Sequence, residues 1–169
     1  RDAAAFLNHI YANGFAKLPI GKTRYGLMLR EDGMVMDDGT TARLGKTHYV
    51  MTTTTANAVS VFRHLEFCRQ CLWPELDVQL ISITEQYAQY AVAGPNARRL
   101  LEKLIDSGED ISNEAFPFMA CGEISICGGV KARLFRISFS GELAFEIAVA
   151  SRYGDSMIHA LMAAGEEFG

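Results

Sequence analysis

Residues 136–146 read Arg-Ile-Ser-Phe-Ser-Gly-Glu-Leu-Ala-Phe-Glu, and the chain continues with Ile-Ala-Val. Large apolar residues alternate with small or polar ones along 144–149, which predicts a strand with two distinct faces. Phe145, Ile147 and Val149 share its apolar face. Ser140-Gly141 predicts a turn just before this strand. The stretch therefore joins two predicted strands, 130–138 and 144–149.

Glu146 shares the other face of its strand with Ala144 and Ala148. Small neighbours leave a flat space beside the carboxylate. A carboxylate accepts two parallel hydrogen bonds, so it suits a planar heterocycle with two neighbouring N–H donors. The alternative is a solvated glutamate on the exposed face of an edge strand. The spacing by itself favours that alternative.

Phe139 and Tyr25 each allow two interpretations. The turn at Ser140-Gly141 can carry Phe139 out of the sheet as a stacking platform for a ring, or Phe139 can be a core residue at a hairpin end. Tyr25 precedes Gly26 on a predicted strand. It either lines the same space or is an ordinary half-buried tyrosine.

The tandem Asp37-Asp38 closes a predicted strand at 34–38. Because a strand alternates its faces, the two carboxylates should point in opposite directions. One can reach solvent or cap the following turn, while the other can point inward over a pocket. Acidic pairs at strand ends are common turn residues, and the pattern alone favours that role over catalysis.

The remaining chain predicts helices and strands in a mixed order. Helices are predicted over 2–13, from Thr54 or Thr55 to Trp73, from Pro95 to Ile105, and over 152–164. Strands are predicted over 23–29, 34–38, 48–53, 77–84, 86–93, 122–126, 130–138 and 144–149. Asp32-Gly33 predicts a hairpin turn. This order favours an α+β fold, with helices packed on a mixed or antiparallel sheet, over a doubly wound parallel sheet.

The composition fits a single globular domain over residues 1–169, with 49% hydrophobic and 21% charged residues and a net charge of −4. Lys and Arg form no dense cluster, which argues against nucleic acid as a partner. No apolar run approaches the roughly 20 residues of a membrane helix, and the first residues lack the charged-then-apolar order of a signal peptide. We therefore expect no membrane partner and a cytoplasmic location. Both ends are abrupt, so we expect a piece truncated at both ends from a longer subunit.

The cysteines and the absent motifs exclude several other classes of site. Cys68 and Cys71 form a C-x-x-C inside a helical pattern, and Cys121 and Cys127 lack metal-ligand spacing. We expect reduced, structural cysteines and no metal site. The sequence has neither of the glycine-rich motifs that bind nucleotide phosphates.

Four stretches come in the order of a known family: Tyr25 within 22–25, Gly33 through Asp37-Asp38, residues 93–97, and residues 136–146. They resemble the folate-binding domain of the glycine-cleavage aminomethyltransferase (T-protein) family, whose motif Arg-Thr-Gly-Tyr-Thr-Gly-Glu-x-Gly-Phe-Glu is similar to 136–146. Within that family, residues 24–29, 52–55, 84–86 and 134–143 resemble the alpha subunits of heterotetrameric sarcosine oxidases. The resemblance covers essentially the whole chain.

The resemblance implies a role for several residues. Asp38 matches the family's functional aspartate beside the folate nitrogens that hold the one-carbon unit, and is the implied catalytic residue. Glu146 matches the glutamate that grips the pterin edge, and Tyr25 matches a tyrosine of the folate pocket. Thr54 lies near a family Asn position. Phe139 stands where the transferase has Tyr, so a hydroxyl is missing while stacking remains possible.

The resemblance also implies a function. Tetrahydrofolate would be bound here and would capture the one-carbon unit from oxidative demethylation of sarcosine, forming 5,10-methylenetetrahydrofolate. Glycine and hydrogen peroxide would be the other products of the whole oxidoreductase. The flavin and NAD sites would lie outside this chain, the other sarcosine oxidase subunits would be its partners, and the isolated piece would be inactive. The alternatives are a glycine-cleavage aminomethyltransferase, a folate-dependent demethylase, and a non-catalytic assembly domain.

Overall fold

The computed structural model describes residues 1–168 and divides the chain into two compact units, Arg1–Ser82 and a second that begins at Ile83. Each unit combines helices with an antiparallel sheet, so the predicted α+β class is confirmed. The expectation of a single domain over 1–169 stays a prediction. Among residues 1–168, none of the helices has the length and apolarity that crossing a bilayer requires.

The first unit contains a three-stranded antiparallel sheet in the order β1-β2-β3. Its elements are α1 (Ala3–Ile10), β1 (Lys22–Leu29), β2 (Val35–Arg43), β3 (Tyr49–Met51) and α2 (Ala58–Phe67). A short 3-10 turn, Thr55–Asn57, precedes α2. The core includes side chains that are at most 1% exposed: Phe6, Phe15, Met28, Val61 and Cys68.

The end of α2 agrees with the predicted stop at Trp73. The helix continues into a wider π turn over Cys68–Leu72, in which the Trp73 N–H donates to the Cys68 carbonyl oxygen at 2.8 Å. Trp73, the one tryptophan of the chain, stacks on His9 with ring centroids 4.7 Å apart. The stack ties the end of α2 to α1.

The second unit contains a four-stranded antiparallel sheet in the order β4-β7-β6-β5. Its elements are β4 (Tyr87–Ala93), α3 (Ala97–Glu102), β5 (Cys121–Ile126), β6 (Val130–Phe135), β7 (Ala144–Ala150) and α4 (Gly154–Gly165). The predicted apolar face of β7 is confirmed, since Phe145, Ile147 and Val149 are each 0% exposed. They form the centre of this unit's core.

The predicted strand at 77–84 is wrong, because this segment has no strand partner. Alternating apolar residues indicate extended backbone, but a strand also needs a neighbouring ladder. Here the Asp77 backbone bonds instead to the start of α1. Its N–H donates to the Asp2 carboxylate at 3.0 Å, and its carbonyl oxygen accepts from the Asp2 N–H at 3.2 Å.

Several predicted boundaries also need correction, among them the ends of the first helix at residue 10 instead of 13 and of β6 at residue 135 instead of 138. β2 does not end at Asp38 but runs to Arg43, because residues 40–43 pair with β1 on one side and 41–43 with β3 on the other. Pro95 is not the first residue of α3. Gly94 adopts a positive φ of 117°, and the Ala97 N–H donates to its carbonyl oxygen at 3.1 Å, so Pro95 belongs to a turn before the helix.

Gly39 allows β2 and the residues after β3 to approach closely. A Cβ at this position would lie 2.0 Å from the Thr52 carbonyl oxygen, far inside van der Waals contact. Beside it, the Thr40 and Thr52 hydroxyls lie 2.9 Å apart, and the Thr52 N–H donates to the Thr40 carbonyl oxygen at 2.8 Å. The sheet therefore needs glycine next to Asp38.

We expect Gly39→Ala to lower the free energy of unfolding by about 3 kcal/mol, because the added methyl group must displace a backbone carbonyl. Urea denaturation measures the change. Gly14→Ala is the matched control, since a Cβ there meets no atom within 4 Å, and it should stay within about 1 kcal/mol of the parent. Equal stability of the two variants would contradict the close approach.

Candidate functional site

The two tandem carboxylates have different surroundings, as strand alternation predicts. Asp37 is 4% exposed and accepts hydrogen bonds from the Thr54 backbone N–H and from the Asn57 side-chain amide, each at 3.2 Å. The same amide of Asn57 also donates to the Met36 carbonyl oxygen at 3.0 Å. Asp37 is therefore the structural residue of the pair, and it joins β2 to the start of α2.

Asp38 lies on the other face of β2 and is partly exposed. The Tyr25 hydroxyl donates to its Oδ2 at 2.5 Å. This hydrogen bond raises the pKa of Tyr25, because removal of the phenol proton would place two negative charges together. The hydroxyl therefore stays protonated and stabilises the carboxylate. Tyr25 is 46% exposed, so the pair is accessible to solvent.

Tyr11 lies buried within the electrostatic reach of both aspartates. Burial raises its pKa to about 12, the nearby Thr41 hydroxyl works in the opposite direction, and the charges of Asp37 and Asp38 raise it further. Tyr11 is 4% exposed and packs in the core of the first unit. It remains a neutral phenol under any ordinary condition.

Thr54 is exposed and precedes the 3-10 turn that leads into α2. Its backbone N–H is held by Asp37, and its carbonyl oxygen accepts from the Thr53 hydroxyl at 3.4 Å. The sequence suggested Thr54 or Thr55 as a helix cap, but neither side chain makes a capping bond. Instead, the Asp37 carboxylate on β2 accepts from the Thr54 N–H just before this turn.

Glu146 lies on a central strand, which corrects the edge-strand interpretation that the spacing favoured. β7 pairs with β4 on one side and β6 on the other, and Glu146 stands opposite Ala91 and Phe135. The side chain is half-buried. The Gln89 amide donates to its Oε2. Burial raises the pKa of Glu146, and the bond from Gln89 opposes this shift.

The face around Glu146 is built mainly of small residues. Ala144 and Ala148 flank it along β7 and are 7% and 3% exposed. Across the ladder, Ala91 and Ala93 of β4 are exposed. A half-buried carboxylate therefore lies beside an accessible alanine surface on the outer strand, as a flat ligand would require.

Phe139 extends into solvent from the loop between β6 and β7, residues 136–143, and its side chain is fully exposed. The loop turns at Gly141, which has a φ of 88° and donates its N–H to the Ser138 hydroxyl at 2.9 Å. Of the two interpretations of Phe139, the core position is therefore wrong. The ring is available for stacking.

The start of this loop is held by Arg136. Its guanidinium donates to the Asn113 side-chain oxygen at 3.1 Å and lies 5.3 Å from the centroid of the Phe145 ring. Arg98 donates to the same oxygen at 2.7 Å and lies at the same distance from the same ring. Both guanidinium groups thus pack on the ring of Phe145, the residue before Glu146 on β7.

Sequence analysis missed Gln89 and Asn57, the partners of Glu146 and Asp37. Gln89 had a weak signal, since it alternates with apolar residues on a predicted strand. Its ladder partner is Ala148, 59 positions away in the chain, so no local pattern links it to Glu146. Three of the five predicted site residues, Tyr25, Asp38 and Thr54, lie in the first unit, and Phe139 and Glu146 lie in the second.

Comparison with known proteins identifies relatives over the full chain. The family model for the GCVT N-terminal domain matches residues 1–169. The chain is 60% identical over 169 residues to the sarcosine oxidase subunit alpha of Rhizobium meliloti (strain 1021), a match that covers 99% of this chain and 17% of that subunit. The chain therefore spans about a sixth of the length of this curated relative.

Solved structures share the fold. The glycine cleavage system aminomethyltransferase T from Bartonella henselae has a TM-score of 0.79 at 25% identity, covering 96% of this chain and 41% of that one. A chain of the heterotetrameric sarcosine oxidase from Corynebacterium sp. U-96 has a TM-score of 0.69 at 18% identity, covering 99% and 75%, which shows the fold alone. The predicted aminomethyltransferase-like fold and the similarity to sarcosine oxidase alpha subunits are both confirmed. The chain belongs to the GCVT N-terminal domain family.

Proposed function

We propose that this chain is the tetrahydrofolate-binding part of a sarcosine oxidase alpha subunit. In the whole oxidoreductase, sarcosine would be oxidised at a flavin outside this chain. Tetrahydrofolate would be the acceptor substrate for the one-carbon unit, giving 5,10-methylenetetrahydrofolate and glycine, and dioxygen would reoxidise the reduced flavin and become hydrogen peroxide. The other subunits of the heterotetramer would be its partners.

The environment of Glu146 carries the proposal. A pterin edge presents neighbouring N–H donors, and a carboxylate is the side chain that accepts two of them in parallel. Glu146 is half-buried, the Gln89 amide donates to its Oε2, and alanines flank it along β7 and on the β4 side. We assign Glu146 to binding and orientation of the pterin rather than to proton transfer. The exposed ring of Phe139 is proposed as a second contact, through stacking.

Asp38 is the proposed catalytic residue. Formation of a bridge between two folate nitrogens removes their protons, and a positioned carboxylate can hold the nitrogens and accept a proton. Asp38 is partly exposed, and the Tyr25 hydroxyl, which donates to its Oδ2 at 2.5 Å, fixes the orientation of the carboxylate. We include Tyr25 and the exposed Thr54 among the folate contacts.

Two observations favour a sarcosine oxidase over an aminomethyltransferase. Sequence identity is 60% to a sarcosine oxidase subunit alpha, against 29–34% to curated aminomethyltransferases. Phe139 also lacks the hydroxyl that the resemblance places at this position in the transferase. A hydrogen bond from that hydroxyl is impossible here, whereas ring stacking needs only the exposed face.

We expect Asp38→Asn, in a complete sarcosine oxidase carrying this domain, to leave flavin reduction by sarcosine unchanged. Capture of the one-carbon unit should slow by about a hundredfold, the lower range for loss of a positioned acid–base group. Stopped-flow absorbance follows the flavin, and quantification of 5,10-methylenetetrahydrofolate and free formaldehyde follows capture. Asp32→Asn, which changes an exposed aspartate paired with Arg30, is the control. Unchanged capture in Asp38→Asn would show that the assigned role is wrong.

We expect tetrahydrofolate affinity to fall on acidification because of Glu146. Burial raises the pKa of this carboxyl above its ordinary value of 4.5. The proton is thus taken up at a higher pH than in an exposed glutamate, and the protonated form accepts fewer hydrogen bonds. The affinity should be constant above the raised pKa and should decrease as the pH falls through it.

Calorimetry of the complete enzyme with tetrahydrofolate across this pH range measures the affinity and tests whether Glu146 causes its pH dependence. Glu146→Gln should weaken binding about tenfold near neutral pH, the effect of losing a charge-assisted bond, and should remove this part of the pH dependence. Glu142→Gln is the control, since Glu142 is exposed and bonds only locally to the Ser140 hydroxyl. A pH profile shared by Glu146→Gln and the parent would refute the assignment. The absence of any binding heat in the parent would instead favour a domain that serves only assembly.

A further inference from the structure

A cavity of about 420 Å³ lies in the second unit, at the end of β7 remote from the loop of Phe139. Tyr87, Lys131, Arg152 and Tyr153 line it together with the Gly128-Gly129 turn between β5 and β6. Ala150, at its wall, is four residues along β7 from Glu146, which is about 13 Å at the rise of a strand. The cavity is thus separate from the proposed pterin contact.

The lining of this cavity is cationic. It contains Lys131 and Arg152 and, within the part of the chain that the structure describes, no acidic side chain. Neither cation forms an ion pair with a described carboxylate within 4 Å. Asp106 lies within electrostatic reach of Lys131 and offsets part of its charge, while its oxygens hold the turn by accepting from the Gly128 and Gly129 N–H groups at 2.7 and 2.8 Å.

A third cation, Arg133, packs against Tyr87 of the cavity lining. The Arg133 guanidinium stacks on the Tyr87 ring at 4.4 Å, and its side chain is only 13% exposed. Its buried Nε makes no hydrogen bond to a described residue. The nearest carboxylate is an oxygen of the largely exposed Glu123, at 3.7 Å. A buried guanidinium with so loose a partner is incompletely neutralised, which makes the cavity more positive.

Hydrogen-bond donors are also available. The hydroxyls of Tyr87 and Tyr153 make no hydrogen bond with any other residue in the 1–168 range. The guanidinium of Arg152, another lining residue, lies over the Tyr153 ring at 4.6 Å. Phenol, ammonium and guanidinium groups share one preferred ligand, an oxygen atom that carries negative charge.

We propose that this cavity binds a small doubly charged oxyanion, a phosphate or a dicarboxylate. Lys131 and Arg152 balance its two charges, and the two tyrosine hydroxyls donate to its oxygens. Arg133 contributes through Tyr87 without direct contact. The inference does not depend on the proposed function, because it rests on the charges and donors of the second unit alone.

Nuclear magnetic resonance of the ¹⁵N-labelled chain tests the site directly, with the Gly128 and Gly129 amides as reporters. The probes are inorganic phosphate, glutarate and, at matched ionic strength, sodium chloride. The chemical shifts of both amides should change to saturation on titration with phosphate, with glutarate or with both. The probe that produces the change tells whether the site prefers a phosphate or a dicarboxylate. Responses no larger than those to chloride would overturn the proposal.

The variant Lys131→Met with Arg152→Met should weaken binding about five- to tenfold or more, since two charge-assisted contacts are lost. Both side chains are exposed, so the fold should be retained, as the dispersion of the other signals will show. Lys17→Met with Lys46→Met removes the same charge from exposed positions of the first unit and is the matched control. An equal loss of affinity in both variants would show that only the net charge of the chain matters, and would overturn the proposed site.

Discussion

The buried carboxylate of Asp37 is the contact on which the first unit's candidate residues depend. It holds the Thr54 N–H and the Asn57 amide, so it fixes the start of α2 against β2. A buried carboxylate is tolerated when its oxygens are bonded, and removal of it would leave the Thr54 N–H without this acceptor and the Asn57 amide with only the Met36 carbonyl oxygen. Because neighbouring strand residues face opposite ways, the burial of Asp37 also directs Asp38 toward Tyr25 and solvent.

In the second unit, the candidate residue Glu146 depends in the same way on β7, the strand that carries it. Its apolar side chains supply the centre of the core, and its opposite face presents Glu146 between alanines. Pairing with β4 and β6 fixes both edges of the strand. The glutamate is therefore held by strands on both sides, whereas Phe139 lies on the irregular loop that precedes β7.

The sequence predicts what depends on local alternation. The two faces of β7, the opposite directions of Asp37 and Asp38, and the exposed turn at Ser140-Gly141 all follow from patterns within a few residues. It does not tell which aspartate is buried, because that depends on Asn57, about twenty positions away. It also misplaces Glu146 on an edge, since strand order is decided by partners that a local pattern cannot reveal. The segment 77–84 alternates like a strand and yet has no ladder.

The stacking of the one indole on His9 has a practical consequence. Trp73 belongs to the first unit, so the intrinsic emission excited at long ultraviolet wavelengths reports on that unit only. Far-ultraviolet circular dichroism, in contrast, senses the backbone of both. A denaturation experiment recorded with the two signals in parallel can therefore distinguish concerted melting from stepwise melting, without any added label.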